Sequence, residues 1–447
     1  MSLHSSHDVR NKDQWLSYLE STHPADIEMG LGRVTQVART LDLFKPAPIT
    51  IVVGGTNGKG TTTALLGQLL AQKGLSSACY NSPHIHQYNE RVNQRNRQGV
   101  GRLTTDEELC AAFTAIEAGR GDIPLTYFEF GTLAALWQIK HWQVDVALLE
   151  VGLGGRLDAV NIVDNDLAIV TSVGLDHQDW LGDTLDLIGY EKAGIGRKQK
   201  PLICGQSQVS QGFIDHANAI QAHTLYQGID FSIAPNLAPN TTPSTEGLLF
   251  KQYEKEIQLP RGHIPSLNIA SAIAGLDALQ LLPDLAKIQQ AIELTKVAGR
   301  LTDYKCCYND RDITFTLDVA HNVQAAEYLA QHAKNCDTAI LAMLGDKDPV
   351  AVVKALTQVS HWHIAGLAGY RGQSAEQLIK KLSQASLPTT AMNSHQTVAD
   401  AVRSLLTSER FNRGDIKEPV FVIGSFLTVS AAEDALTSME GLTIYGT

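Results

Sequence analysis

Short apolar runs alternate with longer segments of helical spacing along most of the 447 residues. The clearest runs are Ile49–Val53, Val144–Leu149, Leu167–Val173, Ile313–Val319, Ala339–Leu344, His363–Leu367 and Val420–Ile423. They are nearly continuous, without a regular polar face, which predicts parallel strands covered on both sides. Thr62–Lys73, Gly131–His141, Ala325–Lys334, Val350–Gln358, Ala375–Gln384 and Val398–Leu405 read as the helices between them. This alternation predicts a doubly wound α/β architecture.

The alternation restarts near residue 300. The helical stretch Leu267–Leu281 and the Leu282-Pro283-Asp284 turn precede the Ala298-Gly299-Arg300 joint, and a fresh strand–helix series follows. A boundary at Val297 is expected, giving domains 1–296 and 297–447. Pro235–Glu246, rich in Pro, Asn and Thr, reads as a surface loop. Arg91–Arg102, with its arginines and glycines, reads as a mobile basic loop.

The formal charge is 36 − 47 = −11, with 44% hydrophobic and 19% charged residues. Such a chain is globular rather than disordered, and its net charge makes nucleic acid a poor default partner. Any anionic ligand needs a local site that works against the global field. No apolar run reaches the ~20 residues needed to cross a bilayer, and Met1–Arg10 is polar with no apolar stretch after it. No membrane association and no export are expected. The six cysteines are scattered without a C-x-x-C pair, which suits free buried thiols and a cytoplasmic location better than disulfides.

The strongest chemical signal is Gly54-Gly55-Thr56-Asn57-Gly58-Lys59-Gly60-Thr61-Thr62, between an apolar strand and a helix. Backbone N–H groups of such a loop converge on phosphate oxygens, and the helix N-terminus favours anions. Lys59 would reach the outer phosphates and Thr61 could hold Mg²⁺. The spacing departs from G-x-x-x-x-G-K-[ST]: Val53 stands where the first glycine would be, and Gly60 follows the lysine. A plain glycine-rich turn is the bland alternative. Glu150, Asp176 and His177 follow apolar strands, where open α/β sheets gather ligands. A magnesium–nucleotide site accounts for them; a hydrogen-bonded structural histidine is the other reading of His177. Asp318, His321 and Asn322 end another strand. Asp318 is equally an N-cap for the next helix or an acceptor for a ribose hydroxyl.

Taken together, these residues resemble the Mur ligase superfamily, and within it the family of bacterial bifunctional dihydrofolate synthase/folylpolyglutamate synthases. The resemblance is carried by Gly55–Thr62 (GTNGKGTT), Asn81-Ser82-Pro83-His84, Leu149–Asn161 (LEVGLGGRLDAVN), Leu175-Asp176-His177, Glu191–Ile195 (EKAGI) and Leu317–Asn322 (LDVAHN). It implies an N-terminal P-loop ATPase domain with a parallel sheet and a smaller C-terminal Rossmann-like α/β domain, with ATP between them. It puts Thr56, Asn57, Gly58, Lys59, Gly60 and Thr61 on the phosphates, and Ser82, Glu150 and His177 on Mg²⁺. It further puts Asn268, Arg300 and Asp318 on the nucleotide. Lys192 matches a lysine carbamylated in the family, and His321 is a candidate to orient glutamate or nucleotide. Two Mg²⁺ ions are implied, with a monovalent cation such as K⁺ as an option.

The resemblance also implies a dihydropteroate site at Asp26, Ile27, Glu28 and Met29, at Leu125, Thr126, Tyr127 and Phe128, and at Arg156, Leu157 and Asp158. An aromatic ring can stack on a pterin, and a carboxylate such as that of Asp158 can accept from its amino edge. Core packing is the alternative for Tyr127 and Phe128. The expected activity is ATP-dependent ligation of L-glutamate to dihydropteroate or to a reduced folate, through an acyl phosphate. The expected partners are those small molecules alone, and the chain is expected to be a monomer. Gly424-Ser425-Phe426-Leu427 resembles a family motif that often carries histidine at the Leu427 position. A peptidoglycan-type ligase, a simple P-loop kinase or GTPase, and a non-catalytic nucleotide-binding module are the competing readings.

Overall fold

The apolar runs become the inner strands of two open sheets, one in each of two compact units, Met1–Lys296 and Val297–Thr447. The computed structural model describes residues 10–22, 28–236, 247–332, 335–369, 371–385 and 392–446. The larger sheet of the first unit comprises β1 (Ile49–Gly54), β2 (Ser77–Tyr80), β3 (Val92–Arg95), β4 (Gly101–Leu103), β5 (Val146–Glu150), β6 (Leu167–Val170), β7 (Pro201–Cys204) and β8 (His223–Tyr226). Their order is β4-β3-β2-β5-β1-β6-β7-β8. Pairing is parallel from β2 to β8, and β3 with β4 adds an antiparallel edge.

Alternate residues of the central strands serve opposite layers. Val52, Leu149 and Val170 enter one core, whereas Ile51, Val53, Leu148 and Ile169 enter the other. Both faces are buried, which is why these strands show no polar face. β6 ends at Val170, short of the expected Val173, because Thr171 and Ser172 turn to hydrogen-bond the loop after β1.

Two expectations need correction in this unit. Arg91–Arg102 is not a loose loop but the β3–β4 hairpin, with Arg97 paired to Asp145 at 2.7 Å and Arg102 to Glu108 at 2.7 Å. Asp145 lies far off in sequence, whereas Glu108 is on the helix that follows the hairpin directly. Pro235 and Asn236, expected in a loop, end β9 (Phe231–Asn236), which pairs with β10 (Gly247–Gln252) and then β11 (Lys255–Leu259) in a small antiparallel sheet. The rest of that segment, 237–246, lies outside the described residues.

The second unit holds β12 (Thr302–Tyr308), β13 (Arg311–Asp318), β14 (Thr338–Leu341), β15 (His361–Ala365), β16 (Met392–His395), β17 (Val420–Ile423) and β18 (Leu442–Gly446). The order is β16-β15-β14-β17-β13-β12-β18. The run from β16 to β13 is parallel, while β12 and β18 are antiparallel additions. This is an α/β sheet of Rossmann type with a hairpin edge. All six cysteines are free, four of them buried and Cys110 and Cys307 half-buried. Among the described residues no helix is long and apolar enough to cross a membrane.

Candidate active site

The chain leaves β1 through Gly55–Gly58 and enters the helix Lys59–Gln72 at once. Gly58 caps that helix at φ 86°, and a Cβ there would lie 2.6 Å from the Asn268 amide, so only glycine fits. The Thr56 N–H donates to the Ser172 carbonyl at 2.9 Å and the Asn57 N–H to Ser172 Oγ at 2.9 Å. Thr171 Oγ1 donates to the Asn57 carbonyl at 2.6 Å. The backbone N–H groups of Thr56 and Asn57 therefore brace the loop against the end of β6. An α-helix leaves its first amides without internal acceptors, so those of Lys59, Gly60 and Thr61 are the ones aimed at an anion. Lys59 curls back over the loop, its Nζ donating to the Gly55 carbonyl at 3.0 Å. Asn268, 6% exposed, opens the helix Ser266–Ala278 with its Nδ2 3.5 Å from the Gly58 carbonyl.

Glu150 ends β5 beside this helix start. Its Oε2 accepts from the Ser82 N–H at 3.2 Å, and a Cβ on Gly60 would sit 3.6 Å from the same oxygen. That is ordinary contact distance, so the glycine after the lysine, unusual by the general phosphate-loop pattern, is not demanded by the carboxylate beside it. His177, at φ 52°, stands 3.9 Å from Asp176 through Nε2 and Oδ2. Among the described residues no cluster of three or more His, Cys, Asp or Glu side chains assembles a metal cage. Ser82, Glu150 and His177 offer one hydroxyl, one carboxylate and one imidazole. That set fits an ion such as Mg²⁺, which keeps water and phosphate oxygens among its ligands.

Lys192 lies on the helix Leu185–Ala193 and is 4% exposed. Burial, followed by repulsion from Lys59, lowers its pKa to about 7 against the attraction of Asp176 and Asp158. Its neighbour Glu191 pairs with Arg156 at 2.7 Å. Asp158 is 4% exposed and accepts from the Leu153 and Val160 N–H groups at 2.8 and 2.9 Å. Burial raises its pKa to about 6 despite these bonds. Both carboxylate oxygens close the 152–160 loop, so Asp158 organises that loop before it meets any ligand.

Asp26 and Ile27 lie outside the described residues. Met29 and Leu181 close over Gly154, where an added Cβ would lie 3.7 and 2.8 Å from them. Thr126 caps the helix Tyr127–Trp142 with Glu129 in a reciprocal box, which starts the helix four residues earlier than the expected Gly131. Its hydroxyl is spent there, and Leu125, 1% exposed, belongs to the core. Phe128 lies directly against Gly152, with its ring 6.2 Å from that of Tyr80. Tyr127 meets Tyr88 edge-on at 6.0 Å. Leu157 is half-buried on the same loop.

One residue read only as part of a basic loop stands out here. Arg91 lies over the rings of Tyr88 and Tyr127 at 5.0 and 5.7 Å, and its Nε donates to His84 Nδ1 at 2.9 Å. Burial and this guanidinium lower the His84 pKa to about 4, so the imidazole is a neutral acceptor. Among the described residues no carboxylate pairs with Arg91. A mostly buried guanidinium among neutral partners suits a carboxylate-bearing ligand. No local signal marked it, because Tyr127 lies far along the chain and meets Arg91 only through the fold.

In the second unit Asp318, 5% exposed, ends β13 and accepts from the Leu301 and Ala320 N–H groups at 2.9 and 2.8 Å. Burial raises its pKa, opposed first by Arg300, whose Nη1 is 3.8 Å away. The N-cap alternative for Asp318 falls away, because Asn322 Oδ1 accepts from the Ala325 N–H at 3.1 Å. His321 Nδ1 lies 2.8 Å from the Val319 carbonyl, beside Asp318. Ser425 caps the helix Phe426–Ser438, and Leu427 is 48% exposed.

Two α/β units, one with a phosphate loop beside a strand-end carboxylate and a buried lysine, define an ATP-dependent ligase of the Mur type. Residues 299–425 match the family described as Mur ligase, glutamate ligase domain. The chain is 38% identical to the dihydrofolate synthase/folylpolyglutamate synthase of Haemophilus influenzae, over 93% of this chain and 95% of that one. The Escherichia coli enzyme of the same name is 39% identical, over 93% of each chain. Among solved structures, E. coli FolC in complex with DHPP and ADP superposes with a TM-score of 0.83 at 37% identity, covering 96% of this chain and 98% of that one. A bifunctional folylpolyglutamate synthase/dihydrofolate synthase with Mn, AMPPNP and L-glutamate bound gives 0.83 at 38% identity, with the same coverage. The chain belongs to the dihydrofolate synthase/folylpolyglutamate synthase family.

Proposed function

We propose that this chain joins L-glutamate to dihydropteroate, giving dihydrofolate, and to the γ-carboxylate of reduced folates, giving folylpolyglutamates. The observation that carries the reading is that the 152–160 loop lies against the Lys192 helix, the Arg156 N–H donating to the Glu191 carbonyl at 2.8 Å, while Lys59 of the phosphate loop acts electrostatically on both Asp158 and Lys192. An ATP site and an aromatic-lined substrate site thereby share a border.

A carboxylate does not condense with an amine in water unless it is activated. A substrate carboxylate oxygen attacks the γ-phosphorus of ATP, the bond to the β-bridging oxygen breaks, and ADP leaves. Lys59 and the first-turn amides of its helix stabilise the charge on the transferring group. Glu150, His177 and Ser82 would hold Mg²⁺, which supplies further neutralisation of phosphate charge. The neutral amine of glutamate then attacks the acyl carbon, the C–O bond to phosphate breaks, and the amine's surplus proton passes to solvent. Asn268 from the first unit, and Arg300 and Asp318 from the second, are assigned to the nucleotide. His321 is assigned to the orientation of glutamate or nucleotide.

Tyr127, Phe128 and Met29 would frame the pterin, and Arg91 would face a substrate carboxylate. Lys192 is assigned as a carbamate, formed when its neutral Nζ attacks CO₂ and loses a proton; the resulting anion would support a second divalent ion. We further assign a monovalent cation such as K⁺, a monomeric state and a cytoplasmic location. The test is ADP release from purified protein with Mg-ATP and L-glutamate, with either dihydropteroate or tetrahydrofolate added and products weighed by mass spectrometry. Turnover with both supports the bifunctional assignment. Turnover with the folate alone removes the dihydropteroate activity, and silence with both removes the ligase reading.

A further inference from the structure

Arg33 occupies the first turn of the helix Gly32–Leu41, where it faces the positive end of the helix dipole. No acidic residue accompanies it in that turn. A cation is unfavourable there unless carboxylates from elsewhere hold it, and two do. Nη1 pairs with the Glu28 carboxylate, and Nη2 lies 3.3 Å from the Glu28 carbonyl and 3.0 Å from Glu129 Oε1. Glu129 is 3% exposed, and its Oε2 accepts from the Thr126 N–H at 2.8 Å.

These bonds form a chain from Glu28, through Arg33 and Glu129, to Thr126. Its two ends are the two segments that border the 152–160 loop. Met29 follows Glu28 and touches the space above Gly154, while Phe128 follows Thr126 by two residues and lies on Gly152. Met29 and Phe128 both pack against the core, and the charged chain behind them links the two segments that carry them. We infer that Arg33 is a positioning residue for the pterin-bearing substrate, setting the gap between Met29 and Phe128 by clamping Glu28 to Glu129. The inference rests on the ligase reading above. It assigns to Arg33 no contact with substrate and no part in ATP chemistry. A lysine is a poor replacement, because its ammonium is a compact point charge without the planar fork that sends Nη1 to Glu28 and Nη2 to Glu129.

The test uses the full-length chain with Arg33→Met, Arg33→Lys, Glu28→Gln and the Arg33→Met/Glu28→Gln double variant. Initial rates are measured against dihydropteroate, tetrahydrofolate and Mg-ATP in turn, with thermal melting alongside. Misplacement by about an ångström is enough to reduce kcat/KM for the pterin substrates by roughly ten- to hundredfold. The expected result is a KM rise of that order in Arg33→Met and Arg33→Lys, with KM for Mg-ATP unchanged. Glu28→Gln, a change at the more exposed end, produces a smaller rise. The double variant is no worse than Arg33→Met alone, because both substitutions break one linkage.

The inference is overturned if the pterin KM is unchanged in Arg33→Met, or if lysine restores it. Where the KM for Mg-ATP in Arg33→Met rises in step with a fall in melting temperature, the signature of general damage, Glu28→Gln decides: a rise in the pterin KM alone supports the clamp, and an unchanged pterin KM overturns it. An inactive wild type removes the functional reading, and this inference with it. An active wild type with an indifferent Arg33 removes this inference alone.

Discussion

Lys192 offers the most direct test of whether burial prepares a reactive amine. Carbamylation needs the nitrogen lone pair, so the rate follows the neutral fraction. A lysine titrating at its ordinary 10.5 is neutral about three times in ten thousand at neutral pH, whereas one titrating at about 7 is neutral about half the time, a gain of ~10³. The cause is desolvation first and Lys59 second. Lys192→Met keeps the aliphatic stem and removes the nucleophile. We expect it to lower kcat by about 10²-fold or more, the scale of losing one oriented charge next to a reacting phosphoryl group, while substrate KM values move little. Turnover of the wild type should fall in CO₂-depleted buffer and recover with bicarbonate, and ¹³C-bicarbonate should give a carbamate resonance absent from Lys192→Met. Stability carries the same signature. The folded pKa lies below the unfolded one, so between about 7 and 10.5 the unfolded chain binds more protons and stability rises with pH across that window. Below about 7 the penalty is fully present. Urea melts at about pH 6.5 and about pH 9 should show this slope in the wild type and its loss in Lys192→Met. A variant as active as the wild type, or an active wild type without the label, refutes the carbamate assignment.

Three further outcomes follow from the site. Gly58→Ala forces a side chain into a positive-φ position 2.6 Å from Asn268, and kcat/KM for ATP should fall about hundredfold; parity with the wild type in a nucleotide titration would show that the loop yields. Glu150→Gln removes the only carboxylate of the assigned metal set, so half-saturation should need about ten- to hundredfold more Mg²⁺, and chelation should abolish turnover reversibly; a Mg²⁺ titration that superimposes on the wild type refutes the ligand role. Asp158→Asn places an amide NH₂ where the carboxylate accepts from the Leu153 or Val160 N–H, which should cost about 1–3 kcal/mol of stability in urea denaturation and raise the KM for dihydropteroate; unchanged stability would mean the loop closes without it.

The central strands were legible because two-sided burial leaves a continuous apolar signature, as in Ile49–Val53 and Val420–Ile423. The edges were not. β3 and β4 are built from Val-Asn-Gln-Arg and Gly-Arg-Leu, and of these residues only Val92 is buried, so no apolar run marks them. The β9–β11 sheet escaped for the same reason, since only Phe231, Leu248, Phe250 and Leu259 of its strands are buried in the core. At the site, residue identities read well where chemistry is local, as in the phosphate loop. Roles read badly where a hydrogen bond decides them. Thr56 and Asn57 point their amides at Ser172, Thr126 spends its hydroxyl on a cap, and Asn322 rather than Asp318 caps the helix that follows.

The same distinction explains why the buried charges of the site form a system rather than a set. With Lys192 as an amine, its neighbourhood holds Lys59 as a repelling charge and Asp158 and Asp176 as attracting ones. Protonation would place two ammonium groups near each other in a poorly solvated space, which is why the amine titrates so low. Carbamylation reverses the sign of one member. Lys59 then gains an anion to face instead of a competitor, and the group as a whole carries an excess of negative charge that only a cation can neutralise. Under the carbamate assignment, metal binding at this end of the sheet would be coupled to the state of a single nitrogen, and CO₂ dependence and Mg²⁺ dependence should weaken together when Lys192 is replaced.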